Sequence, residues 1–314
     1  MDCHIEVFVS SDESLSVPMT SNYFHTESFG KWILAGEHAV LRGKPALAFP
    51  LLSESFELNF EPGIQNFDVE FRGTRGKDYQ LLFYGVLEQA LERLQMAREE
   101  LKGHVTIESS LPVGSGLGAS AALCVAIARW FEFQGFVESA QVYDFARGLE
   151  DLFHGESSGV DIAVSLKGHG IRFVRGEEFQ DLNVKWKPNL YLSYCGSKGL
   201  TADCVSKVKA LIHSKPDLGE RLDLQMSEAV DLSERALSQE FSKDIEKDLK
   251  NALLLARDCF DKWGLVFGDL KNHVRQLEEA GALAVKPTGS GGGGYALSLW
   301  PHGMTPPMDL IPAF

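Results

Sequence analysis

The sequence predicts an α+β fold in two domains, and three observations carry that reading. The chain has 314 residues, 44% hydrophobic and 24% charged, more than one medium-sized core needs. Its first part alternates strand-like runs with single helical patterns. From about residue 185 onward, four helical patterns follow one another. That change puts the boundary between an N-terminal domain of residues 1–184 and a C-terminal domain of residues 185–314, although no Pro, Gly or Ser linker marks it.

Taken in order, IEVFVS (residues 5–10) reads as a strand and SDESLSVPMTSN as an exposed loop. FGKWILAGEHAVLRGKPALAF reads as two short apolar strands around a polar turn. Within residues 81–103, Phe83, Leu87, Leu91, Leu94 and Leu101 recur at helical spacing, and Gly103 is the expected C-terminal cap. HVTIESS alternates as a strand. GASAALCVAIARWFEF continues as a helix with so little polarity that several of its sides must be buried. Residues 140–155 form an amphipathic pattern, and SSGVDIAVSLKGHGIRFV is expected as a loop leading into strands. WKPNLYLSYCG is a strand with Leu190 and Leu192 on one face. Helices are expected over about residues 201–214, 218–239, 243–263 and 269–280. VKPTGSGGGGYALSLW then reads as a glycine run feeding a final strand.

Composition narrows the function. A formal net charge of -14 with scattered basic residues disfavours a nucleic acid or an anionic membrane as partner. An anionic substrate would therefore need a local basic or main-chain cradle. Cys3, Cys124, Cys195, Cys204 and Cys259 are odd in number and contain no C-x-x-C pair, so neither a disulfide framework nor a zinc site is indicated. With no secretory pattern at the start and no long apolar run, the expectation is a cytoplasmic protein. A monomer or homodimer acting on a small molecule is expected.

The stretch LPVGSGLGASAALC (residues 111–124) admits two chemistries. Gly114, Gly116 and Ala119 match the dinucleotide fingerprint G-x-G-x-x-A. That fingerprint, however, requires a strand leading into it and a second buried strand ending in an acid about twenty residues later. Pro112 interrupts the approach, and the helix runs on into QGFVESAQVYD instead. A bare glycine turn is the plainer alternative. The remaining reading is phosphate binding at a helix start, where unpaired N–H groups and the helix dipole favour an anion. The cradle would comprise Pro112, Gly114, Ser115, Gly116, Leu117, Gly118, Ala119 and Ser120. It lacks the lysine of G-x-x-x-x-G-K-[ST], so positive charge must come from Mg2+ or another segment. Elsewhere, Val142, Ala146, Leu149 and Phe153 form an apolar stripe that places Glu150 on the inner half of its helix. A buried acid there needs a partner or a metal.

PVGSGLGASAA, GKWILAGEHAVLRG (residues 30–43) and KPTGSGGGG (residues 286–294) resemble, in order and position, the three motifs of the GHMP kinases. The resemblance runs from about residue 27 to residue 300. It implies an N-terminal domain like the second domain of ribosomal protein S5 and a ferredoxin-like helix-and-sheet C-terminal domain. It also implies that the loop holds ATP. Within the family, G-E-H-A-V and HGESSGVDIAVS (residues 154–165) are most similar to mevalonate kinases. Ser157 stands where proline is common and Ile162 where asparagine is common, departures that lean towards phosphomevalonate kinases.

The resemblance assigns Asp161 to the substrate hydroxyl proton, with Lys31 paired to it, and makes Ser120 and Glu150 ligands of Mg2+. Acceptor contacts, to mevalonate or a related alcohol, fall to Lys31, Glu37, His38, Asp161 and Thr201. Thr201 reads equally well as a helix N-cap, and His154 as a capping or packing residue. Gly289 and Gly291 to Gly294, including Gly292, would form a tight turn that presses against the phosphate loop or the substrate. A sensor of the same fold that binds nucleotide without turnover is the competing class.

Overall fold

The computed structural model describes residues 23–154 and 157–314. The strand expected at residues 5–10 and the loop after it lie outside the described residues, as does the side chain of His154.

The two apolar strands of the first motif are much longer than expected. β1 (Phe24–Ala35) and β2 (Ala46–Asn66) pair antiparallel from Phe24 opposite Phe60 to Ala35 opposite Leu47. Period-two alternation survives through the polar stretch that follows: Phe56, Leu58 and Phe60 are buried while Glu57 and Asn59 between them are half-exposed. Along its length β2 also meets β4 (Lys102–Ser109) and β5 (Ile171–Phe173). With β3 (Asp68–Arg72) and β6 (Gln180–Asp181) these build a sheet in the order β3-β4-β2-β5-β6, with β1 on β2.

Helices α1 (Gln80–Leu94), α2 (Ala119–Phe133) and α3 (Val142–His154) accompany this sheet. The first is shorter than its apolar spacing implied. It stops at Leu94, where Gln95 takes a left-handed φ of 54°, and a 3-10 turn (Arg98–Glu100) leads into β4, which contains Gly103. Leu101 is buried from the strand side, so it continued the helical count by coincidence. A second correction concerns residues 157–174, expected as a loop leading into strands: the strand β5 is there, but α4 (Val160–Lys167) occupies eight of the loop residues between Gly159 and Gly168. Two turns are too few for a 3.6-residue period to stand out.

The second sheet runs β10-β7-β9-β8, from β7 (Leu190–Tyr194), β8 (Ala284–Pro287), β9 (Tyr295–Leu299) and β10 (Ile311–Pro312), with all neighbours antiparallel. The glycine run does feed a strand, β9, but β8 precedes it and β10 follows, neither of which the sequence pattern anticipates. Helices α5 (Thr201–Ser214), α6 (Pro216–Leu237), α7 (Lys243–Lys262) and α8 (Gly268–Glu279) fall within two residues of the expected ranges. Pro216 opens α6 at the position where its missing N–H costs nothing.

One hydrophobic cluster joins both sheets, holding Trp32, Phe56 and Phe131 together with Leu192, Phe260, Trp263 and Ala313. Trp32 Nε1 donates to the Ala313 carbonyl at 3.1 Å, and Arg42 Nε donates to Asp223 at 2.6 Å. Among the described residues, no helix is long and apolar enough to cross a membrane.

Candidate active site

The glycine loop connects β4 to α2, and its shape is fixed from within. Ser115 Oγ donates to the Pro112 carbonyl at 2.8 Å. Leu117 is buried and its carbonyl accepts from the Lys31 backbone N–H at 2.8 Å, which ties the loop to β1. At Gly118, which caps α2 with φ 83°, a Cβ would lie 2.6 Å from Lys31 Cγ, so a glycine is needed for the loop to close over that side chain. Ala119 and Ser120 form the first turn of α2, where free N–H groups point at the loop.

Lys31 is 5% exposed and reaches Asp161 in the first turn of α4, Nζ to Oδ2 2.9 Å. An ammonium in so closed a site is tolerated because a carboxylate meets it. Glu150 on α3 is 1% exposed and lies close enough to feel both charges. Its Oε2 accepts from Ser157 Oγ, while Oε1 is buried and, among the described residues, has no hydrogen-bond partner. Burial, then the negative charge of Asp161, pushes the Glu150 carboxyl up to about 8. Cys124, one turn after Ser120 on α2, has its thiol raised by burial and then by Glu150, so this face of α2 looks towards that carboxylate. Ser120 itself is half-buried.

The remaining expected residues gather around the third motif. Glu37 is turned inward, 2% exposed, and pairs with Lys286, which is fully buried on β8. Burial raises the Glu37 carboxyl and lowers the Lys286 ammonium, each opposed by the attraction of the other. Thr288 clamps the same strand, accepting from the Ile33 N–H at 2.9 Å and donating to the Ile33 carbonyl at 3.1 Å. His38, with φ 59°, donates from Nε2 to the Ser290 carbonyl at 2.9 Å and packs edge-on against Phe260 and Trp263. A carbonyl only accepts, so Nε2 carries the proton. Burial pushes the His38 ring down to about 4.

Thr201 is exposed, 3.3 Å from Ser290 Oγ, and is the first residue of α5 rather than its N-cap, which is Leu200. Gly289 faces the phosphate loop: a Cβ there would lie 3.9 Å from the Gly116 carbonyl oxygen. Gly291 accepts from Cys204 Sγ at 3.3 Å, and the Gly292 N–H donates to Leu265 at 2.8 Å.

Lys31, Asp161, Glu150 and the glycine loop are thus brought to one place, with Glu37, His38 and Thr201 beside it against the third motif. Sequence reasoning did not assign Ser157, Lys286 or Ser290 to the site. For Lys286 a signal existed: a single lysine inside the apolar run ALAVKP of a strand has to find a buried partner.

The family model for the GHMP kinases N terminal domain matches residues 82–169. Mevalonate kinase of Thermococcus sibiricus is 31% identical over 297 residues, covering 87% of each chain. That of Archaeoglobus fulgidus is 30% identical, covering 86% of this chain and 90% of its own. In fold, the chain superposes on L. major mevalonate kinase in complex with R-mevalonate with a TM-score of 0.73 at 23% identity, covering 90% of each chain. The glycine loop at the head of α2, the paired Lys31 and Asp161 and the closing glycine run therefore sit in a chain that belongs to the GHMP kinase family, on its mevalonate kinase branch.

Proposed function

We propose that this protein transfers the γ-phosphoryl group of MgATP to the primary hydroxyl of mevalonate. The observation that carries the reading is the 2.9 Å Lys31–Asp161 pair, placed beside the phosphate loop by the bond from Lys31 to Leu117. In this reading, residues 1–184 supply the loop, the pair and Glu150, and residues 185–314 supply Thr201 and the third motif. Asp161 accepts the hydroxyl proton while the alcohol oxygen forms its bond to the γ-phosphorus. The bond from that phosphorus to the β–γ bridging oxygen breaks, and ADP leaves with its electron pair. Lys31 fixes the carboxylate and offers positive charge to the reacting oxygens. The loop N–H groups from Gly114 to Ser120 hold the phosphates.

The residues present suit Mg2+. Glu150 has a buried Oε1 without a partner among the described residues, and Ser120 offers a hydroxyl from the facing helix. Among the described residues no group of three or more His, Cys, Asp or Glu converges, and Mg2+ is commonly held by one or two protein groups with phosphates and water. Such an ion would neutralise charge on the β- and γ-phosphates. A cytoplasmic location fits this substrate.

A coupled ADP-release assay offered mevalonate, phosphomevalonate, homoserine and galactose tests the reading. Turnover is expected with mevalonate above the others, and turnover confined to phosphomevalonate would reassign the acceptor. Asp161→Asn should lower kcat on the order of a hundredfold or more with ATP affinity little changed. Unchanged kcat would remove Asp161 from the chemistry.

A further inference from the structure

The glycine loop has no lysine of its own, yet a cation from the other half of the chain is held over it. Lys198 lies in the loop between β7 and α5. Its backbone is anchored to the third motif: the Cys195 N–H donates to the Gly294 carbonyl at 2.9 Å, and the Gly294 N–H to the Ser197 carbonyl at 2.8 Å. Its side chain extends to the first turn of the phosphate loop, where Nζ lies 3.5 Å from the point a Cβ on Gly114 would occupy. The lysine is exposed, and among the described residues no carboxylate pairs with it. In a chain with a net charge of -14, where Lys31 and Lys286 are both committed to acids, an uncommitted ammonium aimed at a main-chain anion cradle is a specific placement.

Resting on the kinase reading above, we propose that Lys198 binds the phosphate chain of the nucleotide, supplying from the segment between β7 and α5 the cation that P-loops carry within the loop. The third glycine run then also sets where the ammonium stands. Two facing elements share the polyphosphate, one giving N–H groups and a helix dipole, the other a point charge on a flexible stem.

Direct binding of a non-hydrolysable ATP analogue and of ADP to the full chain, by calorimetry without acceptor, tests this. One charge-assisted contact corresponds to about a ten- to hundredfold change in Kd. Lys198→Met should weaken the analogue by that factor, Lys198→Arg should restore most of it, and mevalonate KM should stay within about twofold. Lys271→Met, which removes an exposed charge on α8, should leave the analogue's Kd unchanged. The proposal is overturned if Lys198→Met binds the analogue as the wild type does, if Lys271→Met weakens it equally, or if only mevalonate binding suffers. A wild-type chain that binds no nucleotide would sink the kinase reading itself, an outcome the same titration separates from these.

Discussion

His38 shows what burial does to a single titratable group in this site. The ring is 5% exposed, its one bonded partner among the described residues is a carbonyl, and its pKa falls to about 4. The folded chain therefore refuses a proton that the unfolded chain accepts near 6.5. Stability from this group is complete above about 6.5 and is lost as pH falls towards 4. Between about pH 7.5 and pH 5 the loss from His38 alone is about 2 kcal/mol. Asn tolerates the left-handed backbone at this position and does not titrate. Urea unfolding at the two pH values should thus show the wild type losing about 2 kcal/mol more than His38→Asn. Equal losses would mean that the ring is not held neutral.

At the scale of elements, the glycine loop works by letting α2 come down on β1. Gly116 and Gly118 separate two reasons for a glycine. Both have positive φ, 89° and 83°, but a Cβ at 116 meets nothing within 4 Å, whereas at 118 it meets Lys31 Cγ at 2.6 Å. Gly116→Ala should cost only backbone strain, about 1 kcal/mol, with the Lys31–Asp161 pair intact. Gly118→Ala must also displace a buried, paired lysine, so kcat should fall about tenfold or more beyond the effect at 116. Steady-state kinetics of the two variants, alongside their melting curves, check this, and equal kcat values would deny that the loop sets Lys31.

The loop and the long periodic helices α5 to α8 were legible because their signals are local: glycines at fixed offsets, and apolar residues recurring over several turns. The two-turn helix α4, which carries Asp161, was not, since eight residues between glycines show no period. Asp161 could be found from its motif while the element that aims it stayed hidden. The early end of α1 was hidden for the opposite reason, because Leu101 kept the helical count after the helix had stopped.

For the whole molecule, the question is what holds the two sheets in register, and the pair Glu37–Lys286 is the test case. It joins the turn after β1 to β8, positions 249 residues apart in sequence, with both side chains essentially without solvent. Burial drives both groups towards neutrality, and their mutual attraction is the largest effect that opposes it. Removing one partner strands the other charge in the core, at a cost of about 3–5 kcal/mol, whereas removing both restores an uncharged interior. Lys286→Met and Glu37→Gln should therefore each destabilise strongly, while the double variant should be more stable than the sum of the two by about 2–4 kcal/mol. Because one hydrophobic cluster runs through both halves, each variant should still unfold in a single transition. Urea titrations followed by tryptophan fluorescence and by far-UV circular dichroism measure the coupling and the cooperativity together. Trp32 and Trp263 report from opposite sides of the junction within that cluster. Additive single effects would show that the two charges do not depend on each other. Separate transitions in Lys286→Met would show that this ion pair, more than the shared apolar core, makes the halves unfold as one.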